Sequence, residues 1–307
     1  MSLLKCTTSL CPVFLGLLLG VVHGSAVLDV HGPDFHILPF QEDHGAACRA
    51  RLGVILLSVD ETVEAEYGRY LAPFEDDGVV LYHARQFKGP EIDVASLKRQ
   101  KAEIVNSSKL LPLFPFSSVA FACTSDAAVL GPDVIAGLVA QGAMVPEHAV
   151  TNPLTAAIRA LHALNASTVA ILTPYTADVT KDVADAFAKA DLTVTTVASF
   201  NQTSDAVVSR IRPSSVLSAV QALHKLDGGQ ADAVFVSCTN TRTIDVIARA
   251  EKATAVPMVS SNSAMAWDLL RLAGVLTAEK RSEIRPFGGA LYDVNVPGQS
   301  AAAGQCP

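Results

Sequence analysis

One spacing constrains this chain more than any other feature. Two apolar runs, SSVAFAC (Ser117 to Cys123) and ADAVFVSC (Ala231 to Cys238), each stop at a cysteine followed by threonine, and the two cysteines are 115 positions apart. Earlier apolar runs keep the same interval. RLGVILLS ends at Ser58 and STVAILTP passes Thr173, again 115 apart, and Asp60 and Tyr175 stand two residues beyond them. Between the runs lie segments with apolar residues at helical spacing, such as Val63, Tyr67, Tyr70 and Leu71. Continuous apolar strands alternating with helices imply parallel sheets covered on both faces. The chain therefore reads as an α/β protein of two pseudo-symmetric lobes, each a parallel β-sheet flanked by helices, with the active site in the cleft between them.

The pattern predicts strands at 51–58, 78–87, 117–123, 167–174, 192–200 and 231–238 and a short one from 257. Helices are predicted at 94–110, 127–141, 155–164, 179–190, 207–226, 243–252 and 265–273. A first lobe spans 50–150 and a second 151–262; helix 263–275 returns to the first lobe, and 276–307 is a tail, loosely ordered after Arg285.

The N-terminus reads as a secretory signal peptide over 1–26 followed by a leader, 27–49. It carries Lys5, an apolar stretch of 13 residues from Leu10 to Val22, and small residues at Gly24 and Ala26. That stretch is shorter than the roughly 18 to 20 residues of a spanning helix, so no stable membrane span is expected after cleavage, although an uncleaved anchor is the other reading. The implied location is the secretory pathway or the extracellular space, or an organelle reached by that route. Sequons at Asn106, Asn165 and Asn201 are compatible with it.

Composition narrows the partners. With 50% hydrophobic and 17% charged residues the chain is not disordered. A net charge of −7 without any Lys/Arg run argues against nucleic acid. Of six cysteines, Cys6 and Cys11 leave with the signal. Cys48 and Cys306, near the two ends, are either bridged or two silent thiols. No CxxC or His-x-His spacing indicates a metal site, and His83, His148, His162 and His224 lack ligand spacing.

Cys123 and Cys238 remain. Ligands of open α/β sheets bind beyond the carboxyl ends of the strands. A thiol there is expected near the N-terminus of the next helix, where free N–H groups favour thiolate and can hold a carboxylate. A thiol on each side of a small ligand allows one sulfur to take a proton from carbon and the other to return it, without a cofactor. Alternatively, one sulfur adds to an activated double bond and the other protonates the product carbon. Either cysteine alone could equally be a small core hydrophobe.

At these residues the chain resembles the aspartate/glutamate racemase superfamily, and within it the branch of maleate cis-trans isomerase, arylmalonate decarboxylase and the ectoine-utilisation racemase-like proteins. The resemblance runs from about Arg51 to Gly274, through LGVILLSVDETVEAEY, FACTSDAAVLG, ILTPYTADV, FVSCTNTRTIDVI and VSSNSAMAWDLLRLAG. It implies that Cys123 is the first-lobe nucleophile or base and Cys238 its partner. It also implies that Thr124, Ser125, Tyr175, Thr239 and Asn240 bind a substrate carboxylate. The arylmalonate decarboxylase type keeps only the second cysteine, so the pair favours an isomerase or racemase. Maleate isomerases carry asparagine at the positions of Asp60 and Asp205. An ionised Asp accepts but cannot donate, so an ammonium-bearing or amide substrate fits better than a dicarboxylate. Asp60 could also cap the helix that follows it, or Asp60 and Asp205 could orient the thiols. Arg242 either reaches the cleft or faces solvent.

The resulting expectation is a cofactor-independent racemase or isomerase for a small acid or amino acid, compatible with a homodimer. Its rivals are a secreted two-lobed small-molecule-binding protein and an inactive racemase-like protein.

Overall fold

A computed structural model describes residues 38–43, 45–89, 101–297 and 299. Residues 38–43, the described part of an N-terminal unit, carry no regular secondary structure. The signal peptide, most of the leader, the start of the helix expected at 94–110 and Cys306 lie outside the described residues.

Two four-stranded parallel sheets form the unit that begins at residue 44. The first holds β1 (Ala50–Leu57), β2 (Val79–Gln86), β3 (Ser118–Ala122) and β4 (Val150–Thr151) in the order β2-β1-β3-β4. The second holds β5 (Thr168–Thr173), β6 (Thr193–Ser199), β7 (Ala233–Val236) and β8 (Met258–Ser260) in the order β6-β5-β7-β8. Both orders are the same, as the 115-residue interval requires. The interval holds to within about three residues through β7 and shortens at the last strand, where Val150 corresponds to Met258. β1 is buried along nearly its whole length and β3 and β7 wholly, which is why these strands read as unbroken apolar runs.

The helices are α1 (Val63–Leu71), α2 (Lys101–Ser108), α3 (Thr124–Leu130), α4 (Pro132–Ala143), α5 (Pro153–Ala163), α6 (Ala177–Ala188), α7 (Asp205–Val208), α8 (Pro213–Asp227), α9 (Ile247–Thr254), α10 (Ser261–Leu272) and α11 (Ala278–Gly288). Several bounds differ from the sequence pattern. The helix expected at 127–141 is two, because Gly131 adopts φ 97° and Pro132 then opens α4. The helix expected at 207–226, either containing Pro213 or starting after it, is α7 and then α8, with Pro213 as the first residue of α8. The stretch 276–297, expected to be tail, carries α11 and a 3-10 turn, Ala290–Asp293, whose Leu291 and Tyr292 are buried. Tyr292 stacks on Tyr70, with ring centroids 5.9 Å apart. The Ala/Gly/Pro content of this region hides those two anchoring side chains.

α10 lies against the first sheet: Ser118 Oγ donates to Leu269 O at 2.8 Å, and α10 packs along α5. α2 meets α4 so closely at Gly142 that a Cβ there would lie 2.5 Å from Val105 O. Among the described residues no helix is long and apolar enough to cross a membrane. Asn106, Asn165 and Asn201 are all exposed.

Candidate active site

Three strand ends of each lobe converge at the junction of the lobes. β1, β2 and β3 lead to Asp60, Lys88 and Cys123; β5, β6 and β7 lead to Tyr175, Asp205 and Cys238. All six side chains are buried. The lobes touch directly at this point, since Thr239 Oγ1 donates to Ala122 O, the carbonyl next to Cys123, at 3.3 Å.

Cys123 is the N-cap of α3, and its sulfur accepts from the Asp126 N–H at 3.4 Å. Ser125 Oγ lies 3.4 Å from the same sulfur. Thr124 Oγ1 turns instead to Ser261 Oγ at 2.8 Å, tying α3 to α10. The helix N-terminus does not win the electrostatic contest expected from sequence. Burial pushes the Cys123 thiol well above its ordinary value, the Asp126 carboxylate adds to this, and Lys88, Ser125 and the Asp126 N–H only oppose it.

Cys238 departs further from the expectation. Its backbone is left-handed, φ 82°, and it opens a turn closed by Thr241 N–H to Cys238 O at 3.1 Å. The next helix, α9, begins only at Ile247, so this sulfur does not cap the helix that follows it. Burial pushes the Cys238 thiol up to about 12, Asp205 and Asp60 add to the rise, and the Tyr175 hydroxyl and the Asn240 N–H oppose it.

Tyr175 is buried to 1% and its hydroxyl is 3.5 Å from Ser237 Oγ. Both thiols bear on that hydroxyl and hold its acidity down, after burial itself. Tyr175 is thus the hydrogen-bond partner of Cys238, with Cys123 within electrostatic reach of the same hydroxyl.

Asp60 takes up the capping role left open by the sequence: Oδ1 accepts from Thr62 N and Val63 N, each at 2.8 Å, at the start of α1. The Thr239 hydroxyl also bears on this carboxyl, but burial outweighs it and the backbone donors and raises the group. Asn240 spends its amide on the lobe junction. Its Nδ2 donates to Val59 O at 3.1 Å and Asp205 O at 3.3 Å, and its Oδ1 accepts from Glu61 N at 2.9 Å. Of the groups expected to hold a substrate carboxylate, Asn240 therefore offers its backbone N–H beside Cys238 rather than its side chain. Asp205 accepts from Lys88 Nζ at 2.8 Å, a buried ion pair linking the lobes. Arg242 faces outward and donates to Ile211 O at 2.9 Å; it lines a cavity of about 260 Å³ with Glu61, Arg69 and Asp245.

Sequence reading missed Lys88 and Asp126. Lys88 stands in the FKG segment after β2, where a lone lysine has no signature. Asp126 had one: it is the third residue after a candidate nucleophile, in CTSD. It also missed Glu66, which holds the second lobe by accepting from Thr243 N at 2.6 Å, Ile244 N at 2.9 Å and Asn262 Nδ2 at 2.9 Å. Among the described residues no group of His, Cys, Asp and Glu could hold a metal ion. Cys48 is disulfide-bonded, and its partner lies outside the described residues.

Two like-ordered parallel sheets with a thiol ending the third strand of each define a two-lobed α/β protein with a paired-cysteine site. A family model described as Amdase, arylmalonate decarboxylase, matches residues 82–284, and the chain belongs to that family. The arylmalonate decarboxylase of Bordetella bronchiseptica is 31% identical over 144 residues, 47% of this chain and 57% of that protein. The chain thus matches little more than half the length of that curated relative. Among solved structures, the maleate isomerase of Pseudomonas putida with maleate superposes with a TM-score of 0.67 at 18% identity, covering 80% of this chain and 98% of that one. A Nocardia farcinica maleate cis-trans isomerase mutant bearing a covalently bound succinylcysteine intermediate gives 0.62 at 22% identity over 73% and 92%. An arylmalonate decarboxylase structure gives 0.64 at 22% identity over 80% and 100%. These solved structures carry the same two-lobed fold.

Proposed function

We propose that the protein is a cofactor-independent isomerase that racemises, epimerises or isomerises a small amino or carboxylic acid between two cysteines. The observation that carries this reading is the delivery of one buried thiol from each lobe to the lobe junction, where Thr239 beside Cys238 reaches the carbonyl next to Cys123. In the racemising form one sulfur, as thiolate, takes the proton from the carbon beside the carboxylate. The second thiol then gives its proton to the opposite face, and the thiolate role passes to that sulfur. In the cis-trans form one thiolate adds to the double bond while the other thiol protonates the adjacent carbon; the C–C single bond rotates, and return of that proton to the second sulfur with loss of the first as thiolate restores the double bond. The succinylcysteine in the Nocardia farcinica relative supports this second variant.

Charge favours the racemising form. Among the described residues, Asp126 and Asp205 face the buried cation Lys88, and the exposed Arg85 acts on Asp60, so three buried carboxyls meet two cations. A dicarboxylate would add two further negative charges to this group, whereas an amino acid brings an ammonium as well. Thr124, Ser125, Tyr175, Thr239 and the Asn240 backbone are the groups we assign to its carboxylate.

The family match favours a second reading, decarboxylation, in which one thiol protonates the carbanion left after CO2 departs and the other is dispensable. Release of CO2 and the number of sulfurs required separate the two, with solvent deuterium at the substrate carbon reporting turnover in both. A panel of amino acids, maleate and aryl malonates is incubated in D2O with wild type, Cys123→Ser and Cys238→Ser. Isomerisation requires both sulfurs and releases no CO2; full activity in both variants overturns the two-thiol reading. Binding without turnover by the wild type marks a binding protein instead. We further propose that the chain enters the secretory route, in keeping with the disulfide at Cys48. N-terminal sequencing and cell fractionation test it; an intact Met1 on protein recovered from the cytosol overturns it.

A further inference from the structure

Asp126 is the one acid at the site with nothing to do in the fold. Its side chain is wholly buried, neither carboxylate oxygen has a partner at ordinary hydrogen-bond geometry, and the Cys123 thiol is the one donor that acts on it. It occupies the third position of α3, from which a carboxylate ordinarily turns back to the N–H of the N-cap. That N–H is not available, because Cys123 N donates to Phe121 O at 3.1 Å. The residue is nonetheless locked to the thiol through its own N–H on the Cys123 sulfur. Two of its neighbours carry charge, Lys88 and Asp205, and those two are paired with each other. On the helices packed against α3, Asp133 of α4 and Asp178 and Lys181 of α6 are exposed, and Arg159 of α5 is bound to Asp268. Asp60, by contrast, has its two backbone donors, and Asp205 has Lys88.

We propose that Asp126 and Cys123 share a single proton, the carboxylate taking it when the sulfur has to act as base or nucleophile. The S–H bond breaks, an O–H bond forms on Asp126, and the electron pair stays on sulfur. The pair carries one negative charge before and after, so the thiolate appears without adding charge to a desolvated site. Ionisation to solvent would instead set a second negative charge beside the first. Asp126 suits the task because burial raises its carboxyl to about 6, near neutrality, while Lys88 and the Cys123 thiol keep it from rising further. Its oxygens are closed off from solvent, so it acts through Cys123 and is a positioning residue. The inference rests on the proposed function for the need of a base at Cys123, but its test uses no substrate.

The full chain is treated with methyl methanethiosulfonate between pH 6.5 and 8, and modification of Cys123 and Cys238 is followed by peptide mass spectrometry. In the wild type, Cys123 is expected to react at a nearly level rate, because the reactive and resting forms of the pair hold the same number of protons. Cys238, which has no such acceptor, is expected to rise about tenfold per pH unit. Asp126→Asn is expected to give Cys123 the same tenfold slope. The proposal is overturned if Cys123 and Cys238 of the wild type share one pH dependence, a result that does not depend on the variant folding. A level Cys123 profile in a protein that turns over no acid sinks the functional reading and leaves the shared proton standing.

Discussion

The two cysteine corners are built from equivalent strands and differ in the segments that come directly after them. At Cys123 the chain stays extended, φ −149°, and enters α3 at once, so the sulfur caps a helix and meets Asp126 one turn later. At Cys238 the chain swings to φ 82° and runs through a turn before α9. The position equivalent to Asp126 is Thr241, whose hydroxyl donates to Ser237 O at 3.2 Å and brings no charge. One corner thus has a carboxylate as proton acceptor and the other a tyrosine hydroxyl as donor. Equal placement of two thiols by a repeated fold does not make them chemically equal; the short segments after the strands divide their roles.

The largest effect that sharpens this comparison is loss of either sulfur. Cys123→Ser and Cys238→Ser are each expected to lower turnover by about 10³-fold, read as initial rate and deuterium incorporation. An effect confined to Cys238 would break the symmetry of the pair and favour the decarboxylase reading. Next comes the tie between the lobes. Lys88→Met leaves Asp205 charged, buried and unpaired, at a cost of about 3–5 kcal/mol in denaturant unfolding. Lys88→Met with Asp205→Leu is expected to recover most of it. If the double variant is no more stable than the single, Asp205 is not held by Lys88.

Asp126 predicts a pH effect whose sign is set by its raised carboxyl. Such a group favours folding while protonated, so its stabilisation is complete below the unfolded value of 3.8 and is lost as pH rises through about 6. Between pH 3.5 and 7.5 the wild type is therefore expected to lose roughly 3 kcal/mol more stability than Asp126→Asn. Parallel pH curves would remove Asp126 from the comparison. The smallest effect is at Tyr175. Tyr175→Phe deletes a hydroxyl donor to Cys238 and is expected to slow modification of Cys238 about tenfold while leaving Cys123 within twofold. Equal slowing of both would place the tyrosine as a common wall rather than a partner of one sulfur.

Much of this fold was legible because its strands are buried on both faces, so that each reads as an apolar run and the runs recur at a fixed interval. The same burial made Cys123, Cys238 and Tyr175 visible at strand ends. Helix limits were less legible where glycine or proline divides a segment, as at Gly131 and Pro213. The tail was misjudged because two side chains, Leu291 and Tyr292, hold it against the core. Lys88 and Asp205 illustrate the harder limit: they are 117 positions apart, and no local pattern says that they meet. Asn240 looked like a carboxylate donor until the junction claimed its amide.

The sequence by itself determined the α/β class, the doubling of the lobe and the pair of cysteines, because periodicity and spacing are properties of the chain read locally. Only the tertiary structure decided the state of those cysteines. Burial raises both thiols, and whether each then meets a carboxylate, a hydroxyl or an N–H depends on segments that folding brings together from both lobes.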